Sequence, residues 1–138
     1  MWNLVVVLAN NQPGKLAAVT KVLGDNNIDM LMTDIDDEGQ YGIIRILTST
    51  PDKARNVLYK SNFTAALTSV ALVEVEDRPG ELAKLMKIMT DEHINVKHIM
   101  GCILERGKRA VFVLTPDGDT AELEEKLSAC GVKLLEEI

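Results

Sequence analysis

The chain has 138 residues, 46% of them hydrophobic and 26% charged, with a formal charge of −6, the composition of an ordinary soluble globular protein. No apolar run reaches the roughly 20 residues needed to span a bilayer, and the N-terminus has neither the basic start nor the cleavage site of a signal peptide, so a cytoplasmic protein without a membrane partner is expected. The first 66 residues carry 6 basic and 7 acidic side chains and the rest 9 and 14, so neither half offers the basic surface of a nucleic-acid binder.

The apolar run Leu4 to Leu8 reads as a strand. The loop Asn11-Gln12-Pro13-Gly14-Lys15-Leu16 follows, and Leu16, Val19 and Leu23 then fall on one helical face, which predicts a helix from about Pro13 to Asp25. Asn11 is a good N-cap type, and proline suits a first helical turn because its missing N–H would be unpaired there. Gly24-Asp25-Asn26-Asn27 stops the helix. Ile28 to Asp36 reads as a strand, with Leu31, Thr33 and Ile35 alternating with Met30, Met32 and Asp34. The turn Asp37-Glu38-Gly39-Gln40 joins it to a strand from Tyr41 to Leu47. Thr50-Pro51-Asp52 opens a second helix, whose face is marked by Ala54, Val57 and Leu58, and a short strand from Phe63 to Leu67 closes the unit.

The same order then recurs. Asp77-Arg78-Pro79-Gly80-Glu81-Leu82 repeats the loop at an offset of 66, behind the apolar run Val70 to Val75, and Asn27-Ile28-Asp29 answers to His93-Ile94-Asn95. Leu82, Leu85, Met86 and Met89 mark the next helix, and Asp77 takes the N-cap place of Asn11. Strands follow at Ile94 to Glu105 and Arg109 to Leu114, joined by Glu105-Arg106-Gly107-Lys108. At a one-residue slip, Gly42 to Ile46 matches Arg109 to Val113. Asp117-Gly118-Asp119-Thr120 opens the last helix and Val132 to Ile138 forms the last strand.

Strand, helix, strand, strand, helix, strand, twice over, predicts an α+β chain of two tandem ferredoxin-like βαββαβ modules, residues 1–67 and 68–138. Each module has one antiparallel four-stranded sheet with both helices on one face. Units this small bury only about 60% of their unfolded surface, so the two are expected to pack on each other or on a second subunit. Leu4 to Leu8, Ile43 to Leu47, Val70 to Val73 and Ala110 to Leu114 are apolar on nearly both faces, so the helix-free face is expected to be covered by the other copy or by a second chain, a homodimer.

No catalytic constellation emerges. His93, His98 and Cys102 have no counterparts in the first copy and fall short of the three or four placed ligands a zinc site needs, so neither a metal nor another cofactor is expected. A Cys-His nucleophile pair would lack its orienting third group. Cys102 and Cys130 both lie in the second copy and read as reduced thiols. Asp34, Asp36, Asp37 and Glu38 read as a solvated hairpin edge. Aromatic residues make up only 4%, too few to stack RNA bases on a sheet.

These elements resemble the ACT domain, a small regulatory module that binds amino acids. The apolar first strand, the two Pro-Gly loops and the pairs Ile28-Asp29 and Ile94-Asn95 carry the resemblance, which spans essentially the whole chain as two modules and is similar to stand-alone tandem ACT proteins. It implies a ligand held where two modules meet, by the loop of one and the second-strand start of the other. By position these are Asn11, Pro13, Gly14 and Leu16 with Asp29, Met30 and Leu31, and Asp77, Pro79, Gly80 and Leu82 with Asn95 and Val96. In serine-binding members a histidine lies two residues before the loop's Asn, where this chain has Ala9 and Val75. Helix N-terminal N–H groups suit the α-carboxylate of an amino acid, and Asp29 or Asp34 could take its ammonium. Asp77 could hold an ammonium or cap its helix. The function implied is a non-enzymatic regulator with an amino-acid ligand; the alternative is a subunit that docks on a partner enzyme without a ligand of its own.

Overall fold

The computed structural model describes residues 1–10 and 12–138; Asn11, assigned above to the ligand loop and to a helix cap, lies outside the described residues. Two compact units divide the chain, residues 3–68 and residues 69–138, the second also taking in Met1 and Trp2. The elements of the first are β1 (Trp2–Asn10), α1 (Lys15–Asp25), β2 (Met32–Asp37), β3 (Tyr41–Leu47), α2 (Pro51–Lys60) and β4 (Thr64–Val75). Those of the second are α3 (Glu81–Asp91), β5 (Val96–Glu105), β6 (Arg109–Pro116), α4 (Thr120–Ala129) and β7 (Lys133–Leu134). The two strands expected at the junction are one. Thr68-Ser69 contains neither glycine nor proline to break an extended run, so β4 continues through 12 residues from one unit into the next.

The strand order is β2-β3-β1-β4 in the first unit and β5-β6-β4-β7 in the second, with β1 and β3, then β4 and β6, as the central antiparallel pairs. This is the ferredoxin-like order. Alternation along the strands sends Val5, Val7, Ile44 and Ile46 toward Val19, Leu23, Ala54 and Leu58 of the helices, one closed apolar core. Ala71, Val73 and Leu114 meet Leu85, Met89, Leu123 and Leu127 in the other. On the opposite, helix-free face Leu4, Leu47, Leu72, Val111 and Val113 are also buried, whereas Leu8 and Tyr41 stay exposed.

The four helices among the described residues end alike. Asn27, Asn62, His93 and Gly131 take left-handed backbone, and the next residue's N–H reaches back to the carbonyl of Leu23, Leu58, Met89 or Leu127, closing a Schellman motif. The expected stop at Asn27 is one of these. The offset of 66 holds through both Pro-Gly loops, but Val5 pairs with Ile46 while Ala71 pairs with Leu114, so the third strands are offset by 68 and the expected slip of one is a slip of two. The longer β5–β6 hairpin, which carries two register irregularities, takes up the difference.

Strand β2 begins at Met32, not Ile28. Ile28 drops into the core and Asp29 bonds sideways, so the ladder starts only after the Leu31 N–H meets the Leu47 carbonyl at 2.8 Å. At the chain's end only Lys133–Leu134 pairs as strand, followed by the Leu135 N–H on the Leu72 carbonyl and the Trp2 indole N–H on the Leu135 carbonyl. Among the described residues no helix is long and apolar enough to cross a membrane.

Candidate functional site

The two Pro-Gly loops are type II turns. Lys15 N–H bonds back to the Gln12 carbonyl at 3.2 Å and Glu81 N–H to the Arg78 carbonyl at 3.3 Å, with the glycine of each at the third turn position. Gly14 (φ 90°, ψ −10°) and Gly80 (φ 90°, ψ −11°) hold the left-handed geometry that position demands, and proline fits the one before it. The prolines therefore precede the helices instead of opening them. Gly14 and Gly80 become the N-caps, and a glycine has no side chain to bond the first-turn N–H groups that lack intrahelical partners. Leu16 and Leu82, one residue inside each helix, stay exposed beside them.

Asp77, the expected cap of α3, is used elsewhere. Its Oδ2 accepts the Gly107 N–H at 2.6 Å and its own N–H donates to the Lys108 carbonyl, which ties the second loop to the β5–β6 hairpin. The start of the second strand lies at the other end of the sheet. Val96 faces Pro116, and the Asn95 carbonyl accepts from Asp117 N–H. Between the hairpin and Val96 run the ten residues of β5, about 30 Å at roughly 3.3 Å per residue. The first unit has the same layout: Asn10, just before its loop, faces Tyr41, while Asp29 meets Thr48 and Ser49 beyond the far end of β3. Pro13, Gly14 and Leu16 thus gather at one end and Asp29, Met30 and Leu31 at the other. Pro79, Gly80 and Leu82 are separated from Asn95 and Val96 in the same way. One unit does not bring its own two half-sites together.

Asp29 Oδ1 accepts three bonds, from Thr48 Oγ1 (3.0 Å), Ser49 Oγ (2.7 Å) and Ser49 N–H (3.3 Å). The Ser49 hydroxyl above all holds its carboxyl below the usual range, so it is an anion at neutral pH. Met30 and Leu31 are exposed beside it.

His98 and Cys102 share a face of β5 but sit four residues apart, about 13 Å, too far to bind one ion together. His93 is exposed at the left-handed end of α3. Cys102 and Cys130 are free thiols; burial pushes up the pKa of half-buried Cys102, and slight desolvation followed by the Glu92 carboxylate it bonds pushes up that of exposed Cys130. The acidic hairpin is not simply a solvated edge: half-buried Asp34 and Asp36 flank the Arg45 guanidinium across β2 and β3, leaving Asp37 and Glu38 exposed.

The sequence model of the family described as an ACT domain pair matches residues 2–131. The chain belongs to the ACT family, as a domain pair. Protein BT0572 from Bacteroides thetaiotaomicron has a similar solved structure, with 27% identity, a TM-score of 0.90, and 97% of this chain and 91% of that one covered. The regulatory subunit of aspartate kinase from Thermus thermophilus shares the fold at 16% identity and a TM-score of 0.69, over 94% of this chain and 89% of that one. Its counterpart from Thermus flavus does so at 18% and 0.61, over 91% and 88%. No curated protein sequence matches the chain significantly.

The two ACT copies differ in charge beside their loops. Leu8 of the first is Glu74 in the second, Asn10 is Glu76 and Lys15 is Glu81. Comparison of the copies at the offset of 66 exposes these substitutions, which a search for shared residues passes over. Glu74 lies on the helix-free face with Arg109 and Lys133 on its two oxygens, where the first copy leaves Leu8, Tyr41 and Ile43 around an open apolar groove of about 370 Å³.

Proposed function

We propose that this ACT pair, with modules at residues 1–67 and 68–138, is a non-enzymatic cytoplasmic regulator that binds an amino acid where the Pro-Gly loop of one module meets the second-strand start of another. The observation that carries the reading is the separation of the half-sites: loop and strand start lie at opposite ends of each sheet, so a ligand touching both has to lie between modules. The chemistry of the halves is complementary to a zwitterion. Uncapped first-turn N–H groups behind Gly14 favour a carboxylate, and ionised Asp29 favours an ammonium. Exposed Met30 and Leu31 beside Asp29 favour an apolar side chain. A homodimer supplies the further modules such a site needs, and ligand shifts module packing only as far as it binds one arrangement more tightly.

A thermal-shift screen of dialysed protein against the twenty amino acids tests this. Ligand at about 100 times its Kd adds roughly 2.7 kcal/mol, several degrees in Tm. A shift for one or a few amino acids that is lost in Asp29→Asn is the expected result. Silence across the panel refutes the sensor and favours a subunit that docks on a partner enzyme.

A further inference from the structure

Helices α2 and α4 are the same element of the two copies. The carbonyls of Leu58 and Leu127 close their Schellman motifs, and Asn62 and Gly131 supply the left-handed residues, which fixes the correspondence at an offset of 69. Their buried stripes agree, Ala54 and Leu58 in one and Leu123 and Leu127 in the other, so each helix turns the same side toward its own core. The outer sides have changed. Lys53 answers to Glu122, Arg55 to Glu124, Asn56 to Glu125 and Tyr59 to Ser128.

These substitutions make the two helices opposite in charge. Helix α2 carries Lys53, Arg55 and Lys60 against Asp52 alone, whereas α4 carries Glu122, Glu124 and Glu125 against Lys126 alone. Part of each set is paired already: Arg55 with Asp52 (3.4 Å), Glu122 with Lys126 (3.2 Å) and Glu124 with the Met1 ammonium (3.3 Å). Lys53, Lys60 and Glu125 are exposed and make no ion pair among the described residues. Shape differs along with charge. Tyr59 is 76% exposed, more than any other large hydrophobic side chain described, while α4 presents the small, exposed Ala121, Ser128 and Ala129. A tyrosine ring standing in water between cations is the kind of anchor that interfaces bury, and small side chains leave room for it.

We propose that the outer face of α2 is an interaction surface whose partner is the outer face of α4 on a second copy of this chain, with the Tyr59 ring on the small side chains and the α2 cations facing the α4 carboxylates. Exposed ion pairs add little affinity, but they steer the encounter and reject like-charged faces, so two α2 faces or two α4 faces do not meet. The contact joins two different surfaces, and a copy that has used its α2 still offers its α4; a reciprocal dimer is the smallest assembly that closes. The divergence of the two ACT copies thereby supplies both halves of one interface. The proposal does not depend on the amino-acid site between modules.

Sedimentation velocity of the full chain over a concentration series decides it, run without amino acids at about 0.1 M and about 1 M salt, where the Debye length is about 10 Å and about 3 Å. Wild type should self-associate at the lower salt and more weakly at the higher. The pair Lys53→Glu and Lys60→Glu makes both helices acidic, and the pair Glu122→Lys and Glu125→Lys makes both basic. Each double variant alone should associate at least about tenfold more weakly, and their equimolar mixture should recover association, because each then meets an opposite face. Recovery in the mixture also shows that both variants are folded. Tyr59→Ala should cost about tenfold or more. A wild type that stays monomeric, association indifferent to salt, double variants or Tyr59→Ala that associate like wild type, or a mixture that recovers nothing overturns the proposal. The amino-acid screen is scored separately, so either idea can fail alone.

Discussion

Glu74 is the side chain whose removal tests the electrostatic reading of the second unit most directly. Its carboxylate sits on the helix-free face with the side chain 12% exposed, accepting Arg109 Nε at 2.8 Å and Nη2 at 2.6 Å on one oxygen and Lys133 Nζ at 2.9 Å on the other. Glu74→Gln keeps the shape and removes the charge. A charge-assisted bond contributes about 1.5–3 kcal/mol against roughly 0.5–1.5 for a neutral one, and losing one partner of a fully buried pair costs about 3–5 kcal/mol. Arg109 and Lys133 are 46% and 64% exposed and regain water, which places the cost at about 1–2 kcal/mol and the fall in Tm at roughly 3–8 °C. The pH dependence is a second, independent signature. The Lys133 ammonium first, then Arg109, hold the Glu74 carboxyl below its ordinary 4.5. A depressed folded-state pKa contributes stability that is fully present above the unfolded value and lost as pH falls through the folded one. The difference between wild type and Glu74→Gln in urea melts should therefore be constant from pH 7 to above about 5 and shrink below the ordinary value of 4.5. A variant as stable as wild type at pH 7, or a difference that does not shrink in acid, refutes the assignment.

Two glycine predictions separate backbone strain from side-chain crowding. At Gly14 and Gly80 an added Cβ meets nothing within 4 Å, so Gly14→Ala and Gly80→Ala should each cost about 1–2 kcal/mol from the positive φ alone, read as a lower urea midpoint at unchanged m-value; a neutral result would show that the type II turn is not held. At Gly101 the backbone is ordinary but a Cβ would lie 2.6 Å from two ring carbons of Phe112, so Gly101→Ala should cost about 1–3 kcal/mol and Phe112→Leu should rescue part of it in a double-mutant cycle. Additive effects would mean that the ring is not the obstacle.

The loops show how far local signals reach. Pro-Gly preceded by a strand and followed by helical spacing specified a tight turn at residues 12–15 and again at 78–81, because proline and glycine restrict their own φ whatever surrounds them. The same letters misplaced the helix starts: proline is acceptable both in a first helical turn and in a type II turn, and the glycine conformation, not the proline, chose between them. Asp77 was legible as a polar residue near a helix start. Its actual partner, Gly107, is thirty residues away on a hairpin that is longer in the second copy, which no local rule could see.

The sequence by itself determined the repeat, the order of elements, the family resemblance and the apolar stripes of both cores, since periodicity and turn chemistry act between residues a few positions apart. Tertiary structure alone decided that residues 64–75 form one strand, that the two halves of each candidate ligand site lie at opposite ends of a sheet, and that Asp77 ties its loop to the β5–β6 hairpin. Those outcomes depend on strand register and on which distant chain ends meet, where many weak contacts compete and burial, not local propensity, sets the result.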